Sequence, residues 1–474
     1  MSAPTEDNSD LKITEYKASR YNQLFQRDKG NWLAFNALTC GLAEMNSDNH
    51  RLFAMFLEKT GLGEFDIEKD FILQLQAGGF IVPREMDEIE AIRAGHYQAR
   101  FGRKDFCLTI IPTLACNFSC DYCYEPRSVP VRDVQSPFIM PEEVCNNIGA
   151  LCEKRIAENT HFHVTWYGGE PLLAMDTIEK LTNKFKSMCS SKGSSYFASV
   201  ITNGYLLTKE CLNILISSGV VFIQITVDGP EQIHNERRHL KSGAPTYQTI
   251  LQNLENIEDD SPLLVAVRIN IDKRNSEDIY LLLEELRTRG LNHCRNIVIY
   301  LGQVIHNLES CSNVAFECMA ANEFASFSAE IYKEMIKLGF KIPIYPHVMM
   351  GSCAAVGTGG AVIEPDGTIH NCWNAVGNKS MSVGQLTRNG IEYNPNSVKW
   401  LGWNAFRDEC LNCNILPICM GGCPYRTIKR DAISDAMNNT CSIWKYNMKS
   451  LLEIARMARE KGLLIVPWEK IKKR

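Results

Sequence analysis

Cys116, Cys120 and Cys123 stand in the run Cys116-Asn117-Phe118-Ser119-Cys120-Asp121-Tyr122-Cys123. The spacing is C-x3-C-x2-C, with no fourth cysteine close by. Thiolates are soft ligands, and clustered cysteines select zinc or iron–sulfur centres. A structural zinc takes four protein ligands. Three thiolates can instead hold three irons of a cubane and leave the fourth iron open. An open iron can bind a small molecule and pass it an electron. The next grouped cysteines begin only at Cys353, so the triplet reads as an iron–sulfur site rather than part of a zinc site.

A second constellation lies towards the C-terminus. Cys353 is followed by Gly367 and Cys372, then by Cys410-x2-Cys413-x5-Cys419-x3-Cys423, and later by Cys441. C-x2-C pairs also serve zinc, so a zinc-ribbon-like domain is the competing reading from spacing alone. Nine cysteines are scattered: Cys40, Cys107, Cys145, Cys152, Cys189, Cys211, Cys294, Cys311 and Cys318. They read as buried small apolar residues. The polar, acidic start MSAPTEDNSD is no secretory signal and reads as a short disordered tail. With 19 cysteines and no signal, metal thiolates in a reducing, cytoplasmic compartment are expected rather than disulfides.

The elements that must position these groups come next. A chain of 474 residues suits two or three domains. A net charge of -5 argues against a broad nucleic-acid or acidic-membrane surface. No apolar run approaches a membrane span. Residues 11–100 form a first unit. A hairpin is expected over Ser19–Met45 around Asp28-Lys29-Gly30-Asn31, then helices over Asn49–Lys59 and Ile67–Ala77, then apolar Gly79-Phe80-Ile81-Val82 ahead of Pro83. Small strands followed by helices read as a winged-helix-like module or a cap.

Over 101–310, strand-like runs alternate with helical runs. The strands are Cys107–Pro112, His161–Tyr167, Ser199–Asn203, Val220–Val227, Leu263–Ile271 and Ile297–Leu301. Such alternation gives parallel βα units, and six of them fit an α/β fold of the partial (β/α)6 barrel type, with the site at the C-terminal strand ends. A bridge over 311–352 leads to a cysteine-rich domain, 353–474. Its last helix, Asn438–Lys461, is amphipathic, with Leu451, Leu452, Ile454 and Met457 on a packing face. His161 and His163 share one strand face, which reads as barrel lining rather than a metal pair.

Short polar motifs follow the strands: Gly168-Gly169-Glu170-Pro171, Thr202-Asn203-Gly204, Thr226-Val227-Asp228-Gly229-Pro230 and His234-Asn235-Glu236-Arg237-Arg238. In this order, behind C-x3-C-x2-C, they resemble the radical S-adenosylmethionine (SAM) enzymes. The resemblance implies a [4Fe-4S] cluster on Cys116, Cys120 and Cys123 whose open iron chelates SAM, and a 5'-deoxyadenosyl radical formed on one-electron reduction. It places Tyr122 by the adenine. Gly168 and Gly169 then let backbone approach the SAM amino group, which Glu170 helps to neutralise. Thr202 and Asn203 lie near the ribose, with Thr226 at the next strand end. An arginine of the family's HDxxR stretch meets the SAM carboxylate, and Arg238 fits better than Arg237 by spacing. Asn235 replaces the Asp of that stretch.

The C-terminal cysteines resemble the SPASM domain, which carries two auxiliary iron–sulfur clusters. Carried over, cluster I takes Cys353, Cys372 and Cys423, and cluster II takes Cys410, Cys413, Cys419 and Cys441. Many SPASM proteins have a further cysteine between the first one and the glycine; Ala354–Asp366 has none. A substrate thiolate could fill the vacant iron, or Cys318, Cys311 or a non-cysteine group could complete it. The first unit is similar in pattern to leader-peptide recognition domains fused to peptide-modifying radical enzymes. Together these resemblances imply a maturase that oxidatively modifies a ribosomally made precursor peptide, with a cysteine thioether or another side-chain cross-link as product. The implied electron donor is of flavodoxin or ferredoxin type. The alternative is an anaerobic sulfatase maturase making formylglycine. Those enzymes usually begin near the CxxxCxxC motif and carry an acidic residue after the cysteine matching Cys372, where this chain has Trp373. A third reading is an electron-transfer or scaffold protein that has lost SAM chemistry.

Overall fold

A computed structural model describes residues 15–27, 30–58, 68–102, 105–123, 138–305, 316–429 and 440–465. The expected N-terminal tail, Cys311 and the first residues of the expected last helix lie outside these. The chain divides into two compact units. The first contains the N-terminal residues to Ala99, together with Pro346–Ser352 and Asn404–Gly422. The second contains the remainder.

The first unit begins with β1 (Tyr16–Ala18) and a three-stranded antiparallel sheet, β2 (Asn22–Gln26), β3 (Trp32–Asn36) and β4 (Gly41–Met45). One hairpin was expected here, and the structure has two. The second turn is built by Asn36, whose Oδ1 accepts from the backbone N–H of Leu38 (2.9 Å) and Thr39 (3.1 Å). This is an Asx-type alternative to continuing the strand. Helices α1 (Ser47–Glu58) and α2 (Lys69–Ala77) follow, and β5 (Ile81–Pro83) pairs with β1. Phe53, Ile72, Leu75 and Phe80 from these helices and strands close a small core over Ala34 and Met45. Helix α3 (Glu88–Phe101) comes next in the chain. Distant sequence joins this unit: the Arg93 guanidinium lies 4.6 Å from the Phe406 ring, and Met349 N–H donates to Pro417 O at 2.9 Å.

In the second unit six parallel strands lie side by side in chain order: β6 (Phe106–Ile110), β7 (His161–Trp166), β8 (Ser195–Thr202), β9 (Val220–Thr226), β10 (Leu264–Ile271) and β11 (Ile297–Gln303). Between and after them run α4 (Glu142–Arg155), α5 (Met175–Ser191), α6 (Lys209–Ser217), α7 (Glu231–Arg237), α8 (Tyr247–Glu255), α9 (Ile279–Thr288) and α10 (Ala321–Lys337). The ordering is that of successive βα units. β6 stops at Ile110, short of the expected Pro112, since proline has no N–H to give the ladder. β8 starts earlier than expected, at Ser195, whose N–H donates to Thr160 O at 3.1 Å.

The sheet does not end at β6. β12 (Gly360–Ile363) pairs with it in parallel, and β13 (Thr368–His370), β14 (Gly384–Thr387) and β15 (Gly390–Tyr393) continue it antiparallel. Strands β12–β15 thus extend the parallel sheet, and Cys353–Trp403 share its unit, while Asn404–Gly422 belong to the other. The last described helix, Trp444–Glu460, buries Leu451, Leu452, Ile454 and Ala458, in keeping with a packing face, while Met457 is half-buried.

Strand composition locates the site. Leu264, Ala266 and Val298 form an apolar layer with Ile465 towards the starts of β10 and β11. Beyond that layer β10 turns polar at Arg268 and Asn270, beside Thr226 at the C-terminal end of β9. Burial of the apolar layer stabilises the sheet, and the polar ends are left to bind. Among the described residues, no helix is long and apolar enough to cross a membrane.

Candidate active site

A cavity of about 390 Å³ opens at the C-terminal strand ends of the second unit. Its wall includes Cys116, Cys120, Tyr122, Cys123, Gly168, Gly169, Thr202, Asn203, Thr226 and Arg238. These are residues that the sequence motifs nominated. Glu170 is not on the wall; it is fully buried behind it.

Two loops set this wall by backbone contact. The loop after β7 hydrogen-bonds the loop after β6 through Gly169 N–H to Thr113 O (3.3 Å) and Glu170 N–H to Ala115 O (2.8 Å). A Cβ on Gly169 would lie 2.3 Å from Ala115 O and 2.4 Å from Leu114 O. Gly168 adopts φ +131°, and a Cβ there would lie 2.5 Å from Thr113 O. Only glycine allows that approach. Glu170 ties a third loop to the first two. Its Oε1 accepts from Leu172 N–H (3.1 Å) and Thr202 Oγ1 (2.8 Å), and its Oε2 from Asn203 N–H (2.8 Å). Burial pushes its carboxyl up to about 7, against the pull of these bonds. Asn203 Nδ2 donates to Asn117 Oδ1 at 2.7 Å, between the first two cysteines.

A network on the opposite side fixes Tyr122. Its hydroxyl accepts from Arg238 Nη1 (2.6 Å) and Asn270 Nδ2 (3.2 Å) and donates to Asp228. Of the two adjacent arginines, Arg238 lines the cavity. Arg237 points into a buried ion pair, with Nη1 2.9 Å from both oxygens of Asp272. His234 and Asn235 hold the segment itself. His234 Nδ1 accepts from Asp228 N–H (3.3 Å), and Asn235 Oδ1 accepts from Thr246 N–H (2.9 Å) and Tyr247 N–H (3.1 Å) at the start of α8. An amide oxygen does that capping as well as a carboxylate, which accounts locally for Asn in place of Asp.

The donor set fits an iron–sulfur cluster. Cys116, Cys120 and Cys123 are mutually close enough for each charge to be felt by the others. Burial raises the Cys116 thiol well above its ordinary value and the Cys120 thiol to about 11, with Arg238 opposing the rise at Cys120. Metal binding must displace those protons. Among the described residues no three His, Cys, Asp or Glu groups converge on one ion. A cubane, by contrast, puts each thiolate on its own iron, which spaces the ligands more widely. Cys353, Cys372 and Cys423 also lie within electrostatic reach of one another in the second unit. Trp373, Asn374 and Arg426, which neighbour two of these cysteines in sequence, line the cavity. Cys410, Cys413 and Cys419 lie in the first unit, with Arg407 Nη2 3.6 Å from Cys410 Sγ; Cys441 lies in the second, with Lys445 Nζ 3.6 Å from its Sγ.

His161 and His163 each hydrogen-bond a serine on β8: Nδ1 to Ser195 Oγ (2.6 Å) and Nε2 to Ser199 Oγ (2.8 Å). Burial lowers His163 to about 4. Of the scattered cysteines, Cys145, Cys152 and Cys189 are buried, and Cys40, Cys107, Cys211, Cys294 and Cys318 are half-buried. Cys318 packs with Val304 and Tyr122. The sequence reading passed over Asn270, Arg268, Arg426 and the Trp373–Tyr167 pair (ring centroids 5.7 Å apart), all at the cavity. A charged residue inside the apolar run of β10 was the available signal for Arg268.

Residues 110–261 match the Radical SAM superfamily. Over 96% of this chain and 98% of its own length, the radical SAM cyclopropyl synthase TigE of Paramaledivibacter caminithermalis is 23% identical. The cysteine-type anaerobic sulfatase-maturating enzyme of Clostridium perfringens (strain 13 / Type A) is 22% identical over 72% of this chain and 95% of its own. The crystal structure of Streptococcus suis SuiB bound to precursor peptide SuiA superposes with a TM-score of 0.51 at 13% identity, covering 90% of this chain and 99% of that one. That last likeness is one of fold.

Proposed function

We propose that this radical SAM enzyme oxidatively modifies a ribosomally made precursor peptide, forming a cysteine thioether or another side-chain cross-link. The family implies a [4Fe-4S] cluster and SAM, whose reductive cleavage supplies the 5'-deoxyadenosyl radical that takes a hydrogen atom from the substrate. In this proposal Cys116, Cys120 and Cys123 hold the cluster. Arg238, fixed by Tyr122, pairs with the SAM carboxylate. The backbone at Gly168 and Gly169 faces the amino group, while Thr202, Asn203 and Thr226 meet the nucleoside. Glu170 acts one step back, holding Thr202 and Asn203 in place.

One observation carries the reading. A single cavity is walled on one side by the Cys116–Cys123 loop and also by Trp373 and Arg426, which lie one and three residues beyond Cys372 and Cys423. A substrate there lies between the radical source and a second thiolate group. Cys353, Cys372 and Cys423 would hold auxiliary cluster I, which would supply an acceptor for the electron left when a carbon radical bonds to a thiolate sulfur. The balance is one hydrogen atom to the adenosyl radical, one proton to solvent and one electron to the cluster. The first unit is assigned to leader recognition, and a flavodoxin- or ferredoxin-type protein in the cytoplasm supplies the reducing electron.

Formylglycine formation is the second reading, favoured by the similarity to the sulfatase-maturating enzyme. Among the described residues of the wall there is no Asp or Glu, and Trp373 stands where an acid is expected for that chemistry. The test is anaerobic incubation of the reconstituted enzyme with SAM, a reductant and the peptide encoded beside the gene. Loss of two hydrogens with loss of a free thiol supports the thioether. Loss of hydrogens with all thiols kept moves the link to carbon or oxygen. An unchanged peptide mass despite 5'-deoxyadenosine release overturns cross-linking.

A further inference from the structure

The described wall of the cavity carries three arginines, Arg238, Arg268 and Arg426, and no Asp or Glu. Arg238 is used by the reading above. The other two are not. Arg268 rises from the middle of β10, opposite Thr226 on β9 and Tyr300 on β11. Its Nε donates to Asn270 Oδ1 at 2.7 Å, and its guanidinium lies 5.8 Å from the Tyr300 ring centroid. Space for it is provided by Gly302 inside β11. A Cβ there would lie 2.5 Å from Arg268 Nε and 2.6 Å from Nη2. A glycine inside a strand loses packing and backbone entropy, and often marks a close approach. Here what approaches is a guanidinium. Arg268 makes no ion pair among the described residues; anchored through Nε, it keeps its Nη edge for a ligand.

Arg426 sits on the helix Pro424–Ile428, just after Cys423. Its Nε is buried without a hydrogen-bond partner among the described residues. Among the described residues neither guanidinium is paired with a carboxylate, and a planar fork is suited to carboxylate recognition.

We propose that Arg268, with Arg426 as a second cation, receives a side-chain carboxylate of the substrate, so that the peptide presents an Asp or Glu next to the residue that is oxidised. This rests on the peptide-modifying reading of the same cavity and adds the substrate class to it.

The test uses the SAM-loaded, reconstituted holoenzyme and two probes, N-acetyl-Ala-Glu-Ala-amide and its Gln twin, with binding read by calorimetry. The Glu probe is expected to bind about tenfold more tightly than the twin, the scale of one charge-assisted hydrogen-bonded contact. Arg268→Gln should erase that preference without weakening SAM binding. Gly302→Ala, which displaces the guanidinium from the other strand, should do the same. Equal binding of the two probes to the wild-type enzyme, or binding of neither, overturns the proposal. So does a loss of SAM affinity in Arg268→Gln, which would give Arg268 to the cofactor. If Arg426→Gln changes the auxiliary cluster's spectrum and leaves the Glu preference intact, Arg426 serves the cluster and its part in the proposal falls. 5'-Deoxyadenosine release, measured alongside, separates the two failures: its absence sinks the functional reading, whereas its presence with equal probe binding sinks only the carboxylate site.

Discussion

Arg238 Nη1 donates to the Tyr122 hydroxyl at 2.6 Å, linking the residue before the third cysteine to the arginine beyond α7. The same hydroxyl donates to Asp228 and accepts from Asn270, so its hydrogen-bonding capacity is used in full. Tyr122→Phe removes all three bonds and leaves buried charged groups short of a partner, at about 1.5–3 kcal/mol for a bond to a charged group. SAM affinity should fall about 10–100-fold, with the iron content at Cys116, Cys120 and Cys123 unchanged. Equilibrium SAM binding and an iron assay on the same sample check this.

Gly169→Ala should disturb the cysteine loop itself. Its Cβ would meet two backbone oxygens, at 2.3 and 2.4 Å, and neither belongs to a flexible side chain. Overpacking of this kind costs about 1–3 kcal/mol. Cluster incorporation should drop with it, as followed by the iron–sulfur absorbance. Gly149→Ala, in α4 where the added Cβ makes an ordinary 3.8 Å contact with Met188, is the control and should be neutral or slightly stabilising.

Glu170 gives a signed pH effect. Its folded value, about 7, lies above its ordinary 4.5 because burial penalises the charge. The folded state then binds more protons than the unfolded state between these values, so the contribution is present at low pH and is lost as pH rises through about 7. Relative to Glu170→Gln, the cluster-free protein should lose melting temperature across that window. Glu170→Gln also turns an amide N–H₂ or an oxygen towards three donors that need two oxygens, so it should weaken SAM binding at every pH. Thermal melts and SAM titrations at several pH values separate the two effects.

Cys372→Ala tests the second thiolate group. It should remove up to about four irons per chain, the content of one cubane, and leave 5'-deoxyadenosine formation in place while abolishing peptide modification. Retention of full iron content would take Cys372 out of the cluster.

Much of this was legible in the sequence because the second unit is built locally. The strands alternate with helices, and each motif follows its own strand within a few residues, so Gly168–Glu170, Thr202-Asn203 and Arg238 could be placed without knowing the fold. What escaped depends on long-range pairing. The extra turn at Thr39 hangs on the Asn36 side chain. The continuation of the sheet through β12–β15 requires pairing of Gly360–Ile363 with β6 across more than two hundred residues. The two compact units are each assembled from segments far apart in the chain, which no local pattern reveals. Arg268 and Arg426 are single residues whose meaning appears only when the wall is assembled, although LVAVRINI in β10 and Gly302 in β11 are each anomalous for a buried strand.

The most direct test of the central claim is hydrogen transfer. The precursor peptide, uniformly deuterated at carbon, is turned over anaerobically by the reconstituted enzyme with unlabelled SAM and reductant, and the 5'-deoxyadenosine is analysed by mass. The expected result is deuterium in 5'-deoxyadenosine in proportion to modified peptide, both lost in Cys120→Ala. Unlabelled 5'-deoxyadenosine alongside an unchanged peptide would contradict the assignment of this cavity to peptide oxidation.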